Sequence, residues 1–282
     1  LAFCVASVIG GAMFGDNLSF ISDTTIAACN GQGCEMKDKF RENFWIAFPA
    51  AVVTLAVILI LSFQTEIKGH VTQSYHLLQV LPYVLVLIGG IVGINVFVVL
   101  LTGIVSGAVI MLAGGHITPV ELLTNMGSGV SGMFETCMVA ILVAAMCALI
   151  REYGGFDALL GWIHKIFRGK KGGQLGMGLL VGAMDIATAN NTVAIVMAGP
   201  IAKEISTEYD ISPCETASLL DISASVTQGL LPYGAQVLYA SAATASAVMP
   251  LSGVDIIAYN YYPMFMAFCL LGWIFLRRTH NK

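Results

Sequence analysis

The apolar stretch at 173–200 is interrupted near its middle by a polar segment. Apolar residues run up to Met184, the segment DIATANNT follows at 185–192, and apolar residues resume as far as Pro200. About 20 apolar residues cross a bilayer, so the whole stretch is long enough to reach across one. A carboxylate at bilayer depth costs roughly 2.5–3.5 kcal/mol on insertion scales, which marks Asp185 as a functional-site candidate. The pattern predicts a re-entrant helical hairpin over 173–205 with a polar tip.

Two further apolar stretches are broken in the same manner. Residues 1–29 contain the polar segment GDNLSFISDTT at 15–25, and residues 215–247 contain QGLLPYG at 228–234. Pro232 lacks a backbone N–H and the flanking glycines weaken a helix, so an interruption is expected there. Both stretches therefore predict discontinuous transmembrane helices.

The other apolar segments predict continuous helices. Residues 77–114 are too long for one span, and the expected turn between two helices is marked by Gly89, Gly90, Gly93 and Asn95. The remaining predicted spans are 45–63, 133–150 and 256–276. The predicted connections are a solvated loop at 30–43, a polar segment at 64–76, a Gly- and Ser-containing connection at 115–132 and a charged loop at 201–214. In the connector at 151–172, apolar residues at helical spacing favour either a helix in the membrane interface or a packed cytoplasmic segment.

The amino-acid composition indicates a membrane protein. Hydrophobic residues make up 57% and charged residues only 11% of the chain, and the mean hydropathy is +0.83. Soluble domains carry about 25% charged residues, so the expected fold class is an all-α polytopic membrane protein. No basic stripe with interleaved aromatic residues is present, so nucleic acid is not an expected partner.

The basic residues predict an orientation in the bilayer. With 30–43, 151–171, 201–214 and the C-terminus inside, only Lys68 of the 13 Lys and Arg residues lies outside. This asymmetry fits the positive-inside rule. It predicts a multi-pass protein with a cytoplasmic C-terminus. The membrane is expected to be a bacterial-type plasma (inner) membrane.

The broken helices near Asp16 and Pro232 run in opposite directions in this topology. Discontinuous helices of opposite direction are typical of inverted-repeat transporters. We therefore assign 1–150 to a first-repeat broken helix with scaffold helices, 151–172 to the connector, and 173–282 to a second repeat. The second repeat consists of the hairpin at 173–205, the broken helix at 215–247 and the last helix. No hairpin precedes the first broken helix, so we expect an N-terminally truncated part of a longer transporter.

Oxygen-bearing side chains occur at all three breaks. Unwound backbone inside hydrocarbon survives only where it faces protein or a wet cavity, so the breaks imply a shared polar cavity. Hard cations such as Na⁺ favour carboxylate, carbonyl, amide and hydroxyl oxygens. The candidate ion- or substrate-binding residues are Asp16, Asn17, Ser19, Ser22, Asp23, Thr24, Thr25, Asp185, Thr188, Asn190, Asn191, Thr192, Asp221, Gln228, Tyr233 and Gln236. The expected Na⁺ ligands among them are Asp16, Asp23, Asp185 and Asn190.

A buried carboxyl group provides a basis for coupling two ions. Burial disfavours its charged form, so it can hold either a proton or a metal cation but not both. We expect Asp16, Asp23 and Asp185 to include this shared group. Exchange follows if the site faces each side of the membrane in turn.

Several of these residues also have a purely structural interpretation. The hydroxyls at the breaks could return hydrogen bonds to helix carbonyls, and Asp16 could be a simple helix N-cap. Asp221 could be either an ion ligand or the partner of a nearby donor. Cys29 and Cys34, in CNGQGC, could hold a metal or form a disulfide, but the predicted cytoplasmic position disfavours a disulfide.

The chain contains no P-loop, G-x-S-x-G or H-E-x-x-H motif. We therefore expect no enzyme activity and no cofactor, and transport driven by ion gradients. Two functions fit these observations: Na⁺/H⁺ antiport, and Na⁺- or H⁺-coupled transport of a small organic acid or amino acid. The sequence leaves both open because no Lys or Arg is predicted at the bilayer midplane. A channel is disfavoured by the breaks of opposite direction.

Three segments resemble the NhaC-type sodium/proton antiporter family of the ion-transporter superfamily. They are GAMFGDNLSFISDTTIAA at 11–28, MDIATANNTVAIVMAGPIAKEIS at 184–206 and QGLLPYGAQVL at 228–238. Phe20 is a departure, since family members often have Pro there. The resemblance implies two inverted repeats, substrate and Na⁺ at hairpin tips, a homodimer and elevator-like motion of a core against a scaffold. The positions that match the family's motifs are Asp16, Asn17, Ser19, Ser22, Asp23, Thr24, Thr25, Asp185, Asn190, Asn191 and Thr192.

Overall fold

The described part of the chain is built from helices. The computed structural model describes residues 1–63, 76–92, 94–155, 158, 161, 169–244 and 250–276. The α-helices are α1 (Ala2–Asn17), α2 (Asp23–Gln32), α3 (Met36–Phe63), α4 (Leu81–Val92), α5 (Val96–Ala113), α6 (Pro119–Glu152), α7 (Gly169–Thr188), α8 (Asn191–Glu208), α9 (Pro213–Leu230), α10 (Ala235–Ala243), α11 (Gly253–Ile257) and α12 (Tyr261–Leu276), and a 3-10 helix covers Leu77–Val80. The predicted all-α fold class is confirmed.

The chain divides into two compact units. One consists of Leu1–Gln64 and Ala140–Lys282, and the other of Thr65–Val139. The smaller unit contains α4 and α5, which pack against each other as a hairpin. The side chain of Asn95 caps α5 by accepting a hydrogen bond from Phe97 N at 3.0 Å, as expected for the predicted turn. The division into 1–150, 151–172 and 173–282 stays a prediction about membrane topology.

Helix α9 lies at the centre of the larger unit. It contacts α1, α2, α3, α7, α8, α10 and α12, and every residue from 215 to 225 is buried. A helix that is buried on all sides places its polar residues where only other protein groups can satisfy them. The partners of these residues therefore define the interior chemistry of this unit.

Helices α7 and α9 approach each other closely along a row of glycines. A Cβ atom at Gly178 would lie 2.9 Å from Ser223 Oγ, and one at Gly182 would lie 3.0 Å from Thr227 Oγ1. Small residues let helix backbones come close, as is common in membrane proteins. Asp185 follows Gly182 at helical spacing and is buried with this face of α7.

All three predicted interruptions are breaks between helices. Residues 18–22 separate α1 from α2, residues 189–190 separate α7 from α8, and residues 231–234 separate α9 from α10. At the second break, Ala189 adopts a left-handed conformation with φ of 52°. Local polar and proline chemistry was thus sufficient to predict where the backbone leaves the helix.

The predicted solvated loop at 30–43 is wrong. Helix α2 continues to Gln32 and α3 already begins at Met36, and Lys39 and Asn43 are completely buried at 0% exposure each. Hydropathy assigns such residues to water, but a polar group is tolerated inside when its partners are also inside. Their partners lie on other helices, so the low hydropathy of this segment alone was misleading.

Two other predicted connections are also helical. The connection expected at 115–132 is largely the start of α6, where Thr118 and Glu121 bond reciprocally and Pro119 occupies the first turn. This arrangement is a capping box, and it explains why α6 begins so early. The span predicted at 133–150 therefore lies inside α6. Similarly, the charged loop expected at 201–214 is mostly α8, which ends only at Glu208.

The C-terminal predictions are partly covered by the structure. The last predicted helix at 256–276 is divided into short α11 and α12, which begins at Tyr261. Half of the connector at 151–172 lies outside the described residues, and its end from Gly169 is already helical. Arg277 and Arg278 also lie outside them.

Among the described helices, α3 is the one that is long and apolar enough by itself to cross a membrane. The shorter apolar helices cover Ala2–Asn17, Leu77–Gly89, Phe97–Ala113 and Tyr261–Leu276. On α3 the exposed side chains include Trp45, Leu55 and Ile60, while the opposite face is buried. An apolar outer face on a helix of this length suits contact with lipid.

Candidate functional site

The first break places hydroxyl groups around the Asp16 carboxylate. Ser19 Oγ accepts hydrogen bonds from Ile21 N at 3.1 Å and Ser22 N at 3.2 Å, which holds the turn. Ser22 Oγ then donates to Asp16 Oδ1, and Thr24 Oγ1 lies 3.3 Å from Asp16 Oδ2. Asp16 is therefore not a simple N-cap, since it lies in the last turn of α1 and receives hydroxyls from beyond the break.

The second break contacts the first through a side-chain hydrogen bond. Thr192 Oγ1, in the first turn of α8, donates to Asp23 Oδ2 at 2.7 Å. Asp23 is the first residue of α2, and it is exposed apart from this contact. The first turns of two helices thus meet at one carboxylate, where their dipoles favour negative charge.

The other polar residues of the second break serve mainly local structure. Asn190 caps α8 by accepting from Val193 N at 3.1 Å, and Asn191 Oδ1 accepts from Thr192 N at 2.9 Å. Thr188 Oγ1 lies 2.9 Å from Met184 O and 3.2 Å from Asn190 O. These bonds fix the shape of the hairpin tip.

The third break is attached to the second. Gln228 Nε2 donates to Ala189 O at 3.0 Å, and the Tyr233 hydroxyl donates to Ile186 O at 3.1 Å. Gln236 is half-buried, and its amide nitrogen has no acceptor among the described residues. The structure therefore brings all three breaks into one contiguous polar region.

Asp185 is distinct from the other carboxylates of this region. It is fully buried, at 0% exposure, and neither of its oxygens accepts a hydrogen bond from a described residue. Within the described chain, no group of three His, Cys, Asp or Glu side chains is arranged to hold a metal ion. Asp16 and Asp23 flank the first break, whereas Asp185 lies in the last turn of α7.

A second polar group surrounds Asp221 in α9. Sequence reasoning named Asp221, Asn17 and Thr25 as candidates but missed Lys39 and Asn43. Lys39 Nζ lies 2.6 Å from Asp221 Oδ2 and donates to Thr25 Oγ1, also at 2.6 Å. Asn43 Nδ2 donates to the same Asp221 oxygen and to Asn17 O, at 2.8 Å each. Asn17 Nδ2 in turn lies 3.1 Å from Ser225 Oγ. Asp221 is therefore the ion-pair partner of the buried Lys39 ammonium group in this structure.

A sequence signal for this group did exist. Along α3 the buried residues are Lys39, Asn43, Ile46, Ala47, Ala50 and Thr54, at helical spacing. The apolar residues of this buried face lie in the predicted span at 45–63. The same spacing towards the N-terminus reaches Asn43 and then Lys39. If the buried face of α3 is extended by helical spacing beyond its last apolar residue, Lys39 and Asn43 both fall in the protein interior.

The fold and these contacts define a class of protein. An all-α chain whose interrupted apolar helices meet at buried carboxylates, amides and hydroxyls has the build of an ion-coupled secondary membrane transporter. Residues 77–278 match the model of the Na⁺/H⁺ antiporter family, and the chain belongs to that family. The resemblance found in its motifs is confirmed.

Several curated relatives are similar to the chain over most of its length. The Na⁺/H⁺ antiporter NhaC of Alkalihalophilus pseudofirmus is 22% identical over 94% of this chain and 62% of its own length. A Haemophilus influenzae protein described as an uncharacterized Na⁺/H⁺ antiporter is 22% identical over 85% of this chain and 59% of its own length. The arginine/ornithine antiporter ArcD of Halobacterium salinarum is 22% identical over 91% and 58%, respectively.

The chain thus spans about three fifths of the length of the relatives it matches. No solved structure matches it significantly. The relatives named here are antiporters, which are transporters rather than enzymes. The predictions of inverted repeats, a homodimer and a cytoplasmic C-terminus stay predictions.

Proposed function

We propose that the full-length protein exchanges Na⁺ for H⁺ across the membrane, at the polar region formed by the three helix breaks. The observation that carries this proposal is the Thr192–Asp23 hydrogen bond of 2.7 Å, which joins the first two breaks. Next to it, the Asp16 carboxylate is surrounded by the hydroxyls of Ser22 and Thr24. Carboxylate and hydroxyl oxygens are suitable ligands for a hard monovalent cation.

The proposed coupling depends on carboxyl groups that hold one cation at a time. Asp16 and Asp23 are the proposed Na⁺ ligands, since each already faces hydroxyl groups of a break. Asp185 is the proposed proton-binding group because it is fully buried without a described donor, and burial favours the neutral form. Asn190 is a further proposed ligand. Its side-chain oxygen caps α8 and its carbonyl accepts from Ala194 N at 2.9 Å, so it would join the site only when the hairpin tip rearranges.

The wider arrangement is also part of this proposal. We place the protein in a bacterial-type plasma (inner) membrane as a homodimer of inverted repeats, with its C-terminus in the cytoplasm. Alternating exposure of the polar region would carry either ion across. Membership of the Na⁺/H⁺ antiporter family supports transport. An ion could bind at the breaks because the interrupted helices leave backbone groups there without intrahelical partners.

A second function is favoured by one of the relatives. One relative is an arginine/ornithine antiporter, and the first turns of α2 and α8 meet at the Asp23–Thr192 contact. Helix N-termini bind anionic groups such as a substrate carboxylate. The alternative is therefore Na⁺- or H⁺-coupled transport, or exchange, of an amino acid or small organic acid.

One experiment separates the two functions. Full-length protein is reconstituted in sealed vesicles that contain a pH-sensitive dye, and Na⁺ is added with or without arginine, ornithine or a dicarboxylate. A change of internal pH with Na⁺ alone supports Na⁺/H⁺ exchange, whereas a strict requirement for an organic solute supports the alternative. No response to any of these additions would reject both functions.

Two variants test the proposed role of Asp185 in the same assay. Asp185→Asn should abolish the Na⁺-driven pH change while still inserting in the membrane. Asp38→Asn, which removes an exposed carboxylate in the first turn of α3, is the matched control and should transport normally. Wild-type transport by Asp185→Asn would exclude this residue as the proton-binding group.

A further inference from the structure

Lys39 is the least expected residue of the interior. Its side chain is 1% exposed, and its ammonium group lies 2.6 Å from Asp221 Oδ2 and 2.6 Å from Thr25 Oγ1. An ion pair in such a position costs several kcal/mol of desolvation for each ion, so it is weak evidence for a stabilising role. The burial of this lysine therefore indicates a role other than stabilisation of the fold.

The oxygens around this ammonium group are only partly used. Asp221 Oδ1, Asn17 Oδ1 and Asn43 Oδ1 are all buried, and none of them accepts a hydrogen bond from a described residue. The same three residues are connected, since Asn43 Nδ2 bonds both Asp221 Oδ2 and Asn17 O. Buried acceptors without donors are rare and call for an explanation such as an ion. Carboxylate, amide and hydroxyl oxygens, the types supplied by these three residues and Thr25, are the ligands that a small hard cation prefers.

We propose that Asp221, Thr25, Asn17 and Asn43 form a monovalent cation site, and that the Lys39 ammonium group is a tethered occupant which competes with Na⁺ for it. This inference rests on the proposed function, because it takes Na⁺ to be the transported cation. A single carboxylate balances a single positive charge in a buried site. Na⁺ therefore binds Asp221 only when the ammonium group moves off that oxygen, and the lysine lowers the apparent affinity for Na⁺.

Removal of the lysine should expose the site to Na⁺. In Lys39→Gln, the Asp221 carboxylate is left buried without its cation, which is strongly destabilising unless another cation replaces it. We expect the melting temperature of this variant to rise steeply with NaCl, and its apparent Na⁺ affinity to exceed that of the wild type by about tenfold or more. Choline chloride at the same ionic strength should not replace NaCl.

The test uses the full-length protein in detergent, with melting followed as a function of Na⁺. Lys37→Gln is the matched control, because Lys37 is exposed and lies only two residues away on α3. The double variant Lys39→Gln with Asp221→Asn removes both charges and should fold without any added response to Na⁺. A stronger Na⁺ response in Lys39→Gln alone supports the proposal.

Other outcomes overturn it. If Lys39→Gln responds to Na⁺ no more than Lys37→Gln does, the ammonium group is a structural partner of Asp221 and not a competitor. If Lys39→Gln cannot be purified folded in either NaCl or choline chloride while the double variant folds, Na⁺ does not replace the ammonium group and the proposal also fails. If Lys39→Gln is recovered folded in NaCl but not in choline chloride, the result supports the proposal.

Failure of the proposed function is distinguishable from failure of this inference. The first is an absence of Na⁺-driven pH change in vesicles of the wild-type protein. The second is read from the melting of Lys39→Gln against Lys37→Gln and does not depend on transport. A cation site without Na⁺/H⁺ exchange would retain the inference and discard the function.

Discussion

Thr192 Oγ1 and Asp23 Oδ2 are 2.7 Å apart although 169 residues separate them in the chain. The bond joins the first turn of α8 to the first turn of α2, and so it connects the hairpin tip with the first helix break. Helices α2 and α8 also pack against each other along their length. The contact is therefore a specific junction on an extended helix interface.

The junction can be tested with a pair of substitutions. Thr192→Val keeps the shape of the side chain but removes the donor, whereas Thr192→Ser keeps the hydroxyl. Hydrogen bonds to charged groups are worth about 1.5–3 kcal/mol, and the exposure of Asp23 lowers this, so we expect a roughly tenfold loss of transport rate in Thr192→Val. Initial rates of the Na⁺-driven pH change measure it. Equal rates in the two variants would remove this bond from the mechanism.

Asp16 and Asp185 should differ in their effect on stability. Asp185 has no described donor, so Asp185→Asn should leave the melting temperature of the full-length protein unchanged or raise it. Asp16 receives two hydroxyl groups, so Asp16→Asn should reduce the free energy of unfolding by about 1–3 kcal/mol. Thermal melting in detergent distinguishes them, and a large loss of stability in Asp185→Asn would indicate a donor that the structure does not describe.

Gly253 should not tolerate a side chain. A Cβ atom there would overlap Pro232 O and lie 2.9 Å from Pro232 C, in the third break. Backbone cannot yield as a flexible side chain does, so Gly253→Ala should cost about 3 kcal/mol of stability or more. Gly272→Ala on α12 is the control, since a Cβ atom there meets nothing within 4 Å. It should stabilise the helix by about 0.5–1 kcal/mol, and equal melting of the two variants would contradict the predicted packing.

The Cys34–Cys214 pair offers a test of orientation. The structure joins these cysteines by a disulfide between the α2–α3 connection and the start of α9, with Cα atoms 5.1 Å apart. The predicted topology puts both on the cytoplasmic side, where thiols are kept reduced. We expect alkylation of intact cells followed by mass spectrometry to find both thiols free, and oxidation of the purified protein to join them. A bond that is already present in cells would reverse the predicted orientation of these segments.

The helix breaks were predictable from the sequence because their causes are local. Pro232 removes a backbone donor, and Asn190 offers a side-chain oxygen to the first turn of α8. Such effects act over a few residues and leave a visible mark on the hydropathy pattern. The start of α6 is a counter-example. Thr118 and Glu121 form a capping box that a local reading could have detected, but the hydropathy pattern predicted a connection at 115–132.

The pairing around Asp221 was not predictable in the same way. Lys39 is a charged residue in a charged stretch, and hydropathy assigns it to water. Its burial depends on Asp221, which is 182 residues away and reaches it only because α9 packs against both α2 and α3. The sequence did indicate Asp221 as either an ion ligand or a partner for a donor, and the structure pairs it with Lys39.

By itself, the sequence determined the all-α membrane fold class and where the helices are interrupted, because composition and turn chemistry act along the chain. Tertiary structure alone decided which polar groups meet. Thr192 with Asp23 and Lys39 with Asp221 are such pairs, and Asp185 is left without a described donor. The physical reason is that a buried polar group is tolerated or not according to its neighbours in space, and those neighbours come from helices far apart in sequence.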